Sequence, residues 1–468
     1  MVRPVLYFLL TVLTSAILLT LASCGGAESS GSVQLNLNLP TDWENRLDMG
    51  VLSSSVGTPY IGSIRVLVAG AGGNESVEVP YIDRRTLLSG LKPGGGYTIT
   101  VQAVTEGTVI MEKTLQGVTL PKEHSLALDV NLIESGGFSY AGSLLYTRLQ
   151  HSAVLYSSGV LVLGGNLSTG VIESIGFSGE GFSTSAFADS LTYPRTGQKA
   201  FLSSQGEEVL VFLGSQGQED SIYEVIDLVN STSSTKLLGT IRTGYFPAYY
   251  GSSVYLVGGY DTNSAWQEDT IKINDETLFE TLLSGMGSSF AQSNAQCTVS
   301  NTKLACLGGS VLGAYSSTLE TYDLSNEIYS YQFPITNLKS NFATTSLPNE
   351  KILITGGLSG ISYLKDVEII NLSTNQSDYF GTTLNRLRAG HTTTLLDDGR
   401  VLIVGGGATQ QVMESAEILD PVTGVSVNIP WKMRVPRYDH TATKLPDGSV
   451  LIIGGNPGDT TFEVFNPN

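Results

Sequence analysis

The sequence predicts an all-β chain, a seven-bladed β-propeller preceded by a small β-sandwich. Two observations predict the propeller. An apolar strand ending in two glycines recurs along the chain, clearest as RVLIVGG at Gly405-Gly406. It returns at Gly164-Gly165, Gly258-Gly259, Gly308-Gly309, Gly356-Gly357 and Gly454-Gly455, with a weaker copy, EVLVFLGS, ending at Gly214-Ser215. First glycines fall 44 to 50 residues apart, and self-similarity at a near-constant step marks a repeat architecture. The second observation is the order inside each copy: a hydroxyl-rich strand, a turn, the apolar strand, a loop, an acid-x-aliphatic strand and a more polar fourth strand. Four strands per copy and seven copies make a propeller.

Composition agrees. A chain of 468 residues is too long for one ordinary core, and its 53 glycines suit sheets joined by tight turns. A net charge of −18 opposes bulk attraction to nucleic acid or anionic lipid, so no nucleic-acid partner is expected.

Taken in order, the chain opens on a signal peptide over 1–23, one Arg followed by an apolar run from Val5 to Leu21. Leu21-Ala22-Ser23-Cys24 resembles the lipobox of bacterial lipoproteins. The resemblance implies cleavage before Cys24, a diacylglyceryl thioether on its sulfur and an N-acyl chain, which together anchor a protein to a membrane. Gly25 and Gly26, with no Asp beside Cys24, imply the outer membrane or cell surface rather than the inner membrane. Residues 24–32 then read as a lipidated tether.

Residues 33–134 carry short strands: VQLNLNL, SIRVLVAG, SVEVPYI, YTITVQAV, VIMEKTL and SLALDVNL. Several alternate apolar and polar residues, as half-buried antiparallel strands do. Residues 42–58 read as a long loop. Leu91, Pro93 and Tyr97 resemble the tyrosine corner of fibronectin type III-like and related domains, which implies a small β-sandwich.

The propeller occupies 135–468. First strands such as HTTTLL, HTATKL and FATTSL are small because they crowd an axis. Second strands read as unbroken apolar runs because they lie between blades. Third strands carry Glu173, Glu224, Asp269, Glu320, Glu368, Glu417 and Glu463 at one repeat position. The last third strand, ending at Phe465, has no fourth strand after it, and the segment from Gly137 is expected to supply one. The double glycine, the acid-x-aliphatic strand and the pairs Arg148/His151, Arg388/His391 and Arg437/His440 together resemble the kelch repeat in its bacterial, galactose-oxidase-like form. Blade two departs from the pattern at Ser215 and Gln198, and blades three to five lack the His.

The resemblance to galactose oxidase raises a copper radical site, which needs two histidines, two tyrosines and a cross-linked cysteine. Here His151, His391 and His440 share one repeat position, and a structural reading has each pinning a blade-to-blade turn. The repeated acids are read the same way, each accepting hydrogen bonds from backbone or an Arg. Cys297 and Cys306 flank a hairpin turning at Asn301-Thr302 and face each other, so a cross-strand disulfide is expected, with two buried free thiols as the alternative. No catalytic residue, metal or cofactor is expected beyond the acyl lipid on Cys24. Loops after the second strands carry Tyr260, Trp266, Tyr315 and Tyr363 on consecutive blades, a candidate binding patch for a protein or glycan. The expected function is therefore non-catalytic recognition. The alternatives are a glycan-active enzyme or oxidase, and a structural envelope component.

Overall fold

The computed structural model describes residues 18–20, 31–38, 63–134 and 136–467. It omits 71–72, 81–84, 92–93, 106–107, 121–124, 132, 167, 179–180, 215–220, 264, 266, 285–295, 308–309, 312–313, 316–317, 335–338, 379–382 and 410. Most of the expected signal segment, Cys24, the loop over 42–58, Pro93, Ser215, Trp266, Gly308 and Gly309 therefore lie outside the described residues. The chain divides into two compact units, Met1–Ser135 and Gly136–Asn468. Every regular element described is a strand.

The first unit holds two sheets. In one, Gly73–Pro80, Ser63–Gly70, Gly94–Thr105, Thr108–Leu120 and Ile133–Glu134 lie side by side in that order, all antiparallel. Alternate residues Ile64, Val66 and Val68 of one strand and Ile99, Val101 and Ala103 of the next are buried, as a period of two requires. The other sheet runs Leu18–Thr20, Arg85–Leu91, Gly31–Asn38, Ser125–Asn131. It departs from the all-antiparallel expectation, because Gly31–Asn38 and Ser125–Asn131 pair parallel. Alternation identifies a strand but not its direction, and partners this far apart in sequence have chain enough for either. Arg85–Leu91, which the sequence reading passed over and which ends on Leu91, has no clear alternation and contains Gly90. Tyr97 is buried with its ring over Gly70, where a Cβ would lie 2.5 Å from the ring.

The second unit is seven four-stranded antiparallel sheets, numbered here one to seven in chain order. Each of sheets one to six takes four strands consecutively, apart from short hairpins in the loops after some second strands. Sheet seven takes three, Thr441–Lys444, Val450–Ile453 and Thr461–Asn466, and its fourth is Gly137–Ser143, paired antiparallel with Thr461–Asn466. Phe138 packs against Phe465 with ring centroids 5.2 Å apart and the rings tilted by 51°.

The unbroken apolar second strands follow from what lies on their two faces. In sheet one, Val160 and Val162 join a core with Leu451, Ile453 and Phe462 of sheet seven. Their alternates Leu161 and Leu163 join Val209, Val211 and Ile226 of sheet two. The same division continues along the chain. Leu210 and Phe212 pack on Val254 and Leu256, Tyr255 and Val257 on Leu304 and Tyr322, Ala305 and Leu307 on Ile352 and Ile354, and Leu353 on Val401 and Ile403. A strand with a core on both sides has no polar face to show.

The double glycine is a left-handed turn that ends the second strand. Gly405 and Gly406 have φ of 63° and 90°, and the other described pairs have similar values. In sheet two the positive pair is Leu213 and Gly214, at 63° and 80°. The repeat phase expected from the sequence is one residue out there: Leu213 is the counterpart of the first glycine, and Gly214 of the second. A side chain at Gly405 is excluded twice, by its φ and by Arg437 O, which would lie 2.6 Å from a Cβ. Gly405→Ala is therefore expected to destabilise the unit by about 1–3 kcal/mol, read by denaturant unfolding.

Candidate functional site

The polar residues singled out by the repeat gather at the end of each sheet where the chain enters the first strand and leaves the second. A basic residue stands four positions before the first strand in six sheets: Arg148, Arg195, Arg242, Lys339, Arg388 and Arg437. All six are buried. Arg148 Nε donates to Glu173 Oε1 at 2.7 Å, Nη1 to Gly164 O at 2.5 Å and Nη2 to Val171 O at 2.8 Å. One guanidinium thus ties the turn before the first strand to the end of the second strand and to the third. Glu173 completes its coordination with the Leu145 amide at 2.5 Å.

The arrangement repeats as Arg195–Glu224, Arg388–Glu417 and Arg437–Glu463, each Arg reaching the carbonyl of Leu213, Gly405 or Gly454. Six acids, Glu173, Glu224, Glu320, Glu368, Glu417 and Glu463, hold one register position, two residues before the turn on the facing strand. Asp269 does not, which corrects the sequence reading of seven equivalent acids. Ile271 occupies that position in sheet three, and Asp269 meets Arg242 from just before the strand. In sheet five Lys339 reaches Asp366 at 3.7 Å. A buried ion pair as well hydrogen-bonded as Arg388–Glu417 punishes loss of either partner. Arg388→Ala is expected to cost about 3–5 kcal/mol in denaturant unfolding, because Glu417 would remain buried without its cation.

The histidines act between sheets. His151 Nε2 lies 2.8 Å from Thr441 Oγ1 of sheet seven, His440 Nε2 2.8 Å from Thr392 Oγ1 of sheet six, and His391 Nε2 2.8 Å from Thr355 Oγ1 of sheet five. Gln198, the departure in sheet two, does the same work, donating to Leu163 O of sheet one at 2.5 Å. The residue before each is left-handed: Gln150, Gly197, Gly390 and Asp439, joined by Asn341 before Phe342. Their backbones form a hydrogen-bonded arc, Gly197 N to Gln150 O, Gln150 N to Asp439 O, Asp439 N to Gly390 O and Gly390 N to Asn341 O. The sequence reading missed these residues. The signal available was the preference of Gly, Asn and Asp for positive φ, repeated one position before the His.

Burial, then the Arg148 guanidinium, brings the His151 pKa down to about 3, and burial with Arg388 does the same for His391. His440 is also lowered, by burial first and Arg437 next. Protonation would need an acceptor at both ring nitrogens, yet each Nδ1 is buried without a hydrogen-bond partner. The Nδ1 edge of His151 instead packs on Gly454, where even a methyl group would lie 3.1 Å from Nδ1. Unfolded imidazoles titrate near 6.5, so below that pH the unfolded chain binds more protons than the folded one. This contribution to stability is full above pH 6.5 and falls by about 1.4 kcal/mol per pH unit for each of His151 and His391 as pH drops toward 3, with His440 adding in the same direction. His391→Gln, which copies the natural choice at Gln198, is expected to fold and to flatten the acid limb by one such increment in pH-dependent denaturation; an unchanged slope would overturn this.

The loops after the second strands lie at the same end. In sheets four, five and six they contain short hairpins: Ser310–Val311 with Ala314–Tyr315, Leu358–Ser359 with Ser362–Tyr363, and Gly407–Ala408 with Gln411–Val412. Ile361, at one tip, is 96% exposed. Tyr363 is half-buried in the second hairpin, and Tyr315 ends the first. Tyr260 bridges to Thr243 through the backbone, and its ring lies beside Gly244 of its own sheet. Tyr260, Tyr315 and Tyr363 thus stand in separate loops. Cys297 and Cys306 sit opposite each other across the Asn301-Thr302 turn and form a disulfide. Trp431 is fully buried just beyond the fourth strand of sheet six. Among the described residues, no three His, Cys, Asp or Glu side chains gather as a metal site would need.

No protein-family model matches the chain, and no curated protein matches it. Among solved structures, a fungal alcohol oxidase of the AA5 family in complex with copper is similar over 71% of this chain and 76% of its own. The identity is 16% and the TM-score 0.53. The structure of YjhT is similar over 61% of this chain and 99% of its own, at 11% identity and a TM-score of 0.48. The likeness to the oxidase bears on fold alone: an all-β, galactose-oxidase-like architecture.

Proposed function

We propose that this is a lipid-anchored bacterial envelope protein whose seven sheets are the blades of a kelch-type propeller, and that the propeller binds a protein or carbohydrate partner without catalysis. The first unit acts as a small β-sandwich spacer behind the lipidated Cys24, placed at the outer membrane or cell surface. The observation that carries the non-catalytic reading is that the repeat's chemistry is already engaged. Each His spends Nε2 on a neighbouring Thr, and Glu173, Glu224, Glu417 and Glu463 hold buried arginines. What differs from sheet to sheet is the loop after the second strand, where variable sequence on a rigid frame suits recognition. The alternative, an oxidase or glycan-active enzyme, rests on a shared fold, and function resides in sites rather than folds.

A glycan array and a pull-down from envelope extract, run with wild type and with Tyr260, Trp266, Tyr315 and Tyr363 all changed to Ala, test the proposal. Wild type is expected to retain a partner that the variant binds about tenfold or more weakly. Equal binding by both would remove the aromatic loops from the site. Copper held by the wild type and lost on changing His391 and His440 together would favour the enzyme. No partner for either protein would favour a structural role.

A further inference from the structure

The cation that clamps each sheet is missing from one position in the sequence. Counting four residues back from the first strand gives Arg or Lys for sheets one, two, three, five, six and seven, but Gln292 for sheet four. Sheet four is also the sheet that carries the disulfide.

The two devices act at the same end of the sheet. In sheets one, two, three, six and seven the Arg precedes the first strand and grips the carbonyl that ends the second, at Gly164, Leu213, Gly258, Gly405 or Gly454. In sheet four, Cys297 is the second residue of the first strand, Gln296–Ser300, and Cys306 is the last but one of the second, Lys303–Leu307. Cys306 faces Glu320, at the register position where Glu173, Glu224, Glu417 and Glu463 meet their arginines. The covalent bond therefore ties the first strand to the second at the end of the sheet where, elsewhere, the guanidinium ties the lead-in turn to the second and third strands.

We propose that the Cys297–Cys306 disulfide replaces the arginine clamp in sheet four, and that this makes sheet four the one redox-sensitive member of the array. A thiol reductant such as dithiothreitol donates two electrons and two protons to the S–S bond, leaving two thiols and its own cyclic disulfide. The strand ends of sheet four then lose their tie, while the ion-paired sheets keep theirs.

Hydrogen exchange read by mass spectrometry on the folded, full-length protein tests this, with and without dithiothreitol. Reduction is expected to speed exchange over residues 296–307 by about tenfold or more, since the cross-link no longer restrains local opening. Peptides from sheets one, six and seven are expected to be unchanged. Arg388→Met, without reductant, is expected to produce the same local loosening in sheet six. The double variant Cys297→Ala/Cys306→Ala should match reduced wild type and no longer respond to reductant. Exchange unaltered over 296–307, an equal change in every sheet, or free thiols at both cysteines in the protein as purified would each overturn the proposal.

Discussion

The second unit depends on what happens to backbone carbonyls where a strand ends inside packed protein. At the left-handed turn the chain leaves the ladder, and the carbonyl of its first residue loses its strand partner. A buried carbonyl without a donor is costly. A guanidinium has five donors in a fixed fork and can serve several such oxygens at once, as Arg388 does for Gly405 and Ser415. Bringing it in buries a full charge, which is tolerable only beside an anion. Glu417 supplies one, fixed in turn by the Asn385 amide and Ser426. The glycines complete the set. The backbone of the following lead-in turn passes so close to the first glycine of sheets six and seven that a Cβ would collide. Three features that the sequence presents separately, the double glycine, the acid and the Arg, are thus one solution to one problem.

A second, weaker constraint joins sheet to sheet. First strands lie side by side, and their small hydroxylated residues leave room for neighbours while offering partners, as Thr345 does to Thr393 and Thr298 to Thr344. Imidazole and Gln198 reach across at the ends of these strands, and the left-handed residues before them carry the backbone arc from sheet two through one and seven to six and five. The contact between the first and last sheets is consequently among the best joined. It has a shared core, a His–Thr contact, a backbone hydrogen bond and Gln150 on the Asp439 carboxylate. Sheets three and five place Tyr245 and Phe342 where sheets one, two, six and seven have His or Gln, and both rings join the apolar core.

This division of labour bears on function. Residues that would attract attention as acid–base or metal-binding groups are buried and held by fixed partners. The likeness to a copper oxidase, at 16% identity, bears on fold alone. The loops beyond the frame, by contrast, vary in length and sequence and form hairpins with an exposed tip at Ile361.

The all-β class, the repeat step and the strand order inside each sheet were legible in the sequence, because strand periodicity and left-handed glycines are local properties written residue by residue. The structural roles of Arg148 and His151 were legible too, because a residue repeated in phase serves something that is itself repeated. Registers were not. Leu213 hid the turn of sheet two because a leucine carries no local signal for positive φ, and Asp269 looked equivalent to Glu417 because spacing alone cannot tell a strand residue from one just before it. The parallel pairing of Gly31–Asn38 with Ser125–Asn131 was equally hidden, since alternation is the same in either direction. Whether Tyr260 and Tyr363 share a surface depended on where separate loops come to rest. Those are long-range facts, and only the packed chain decides them.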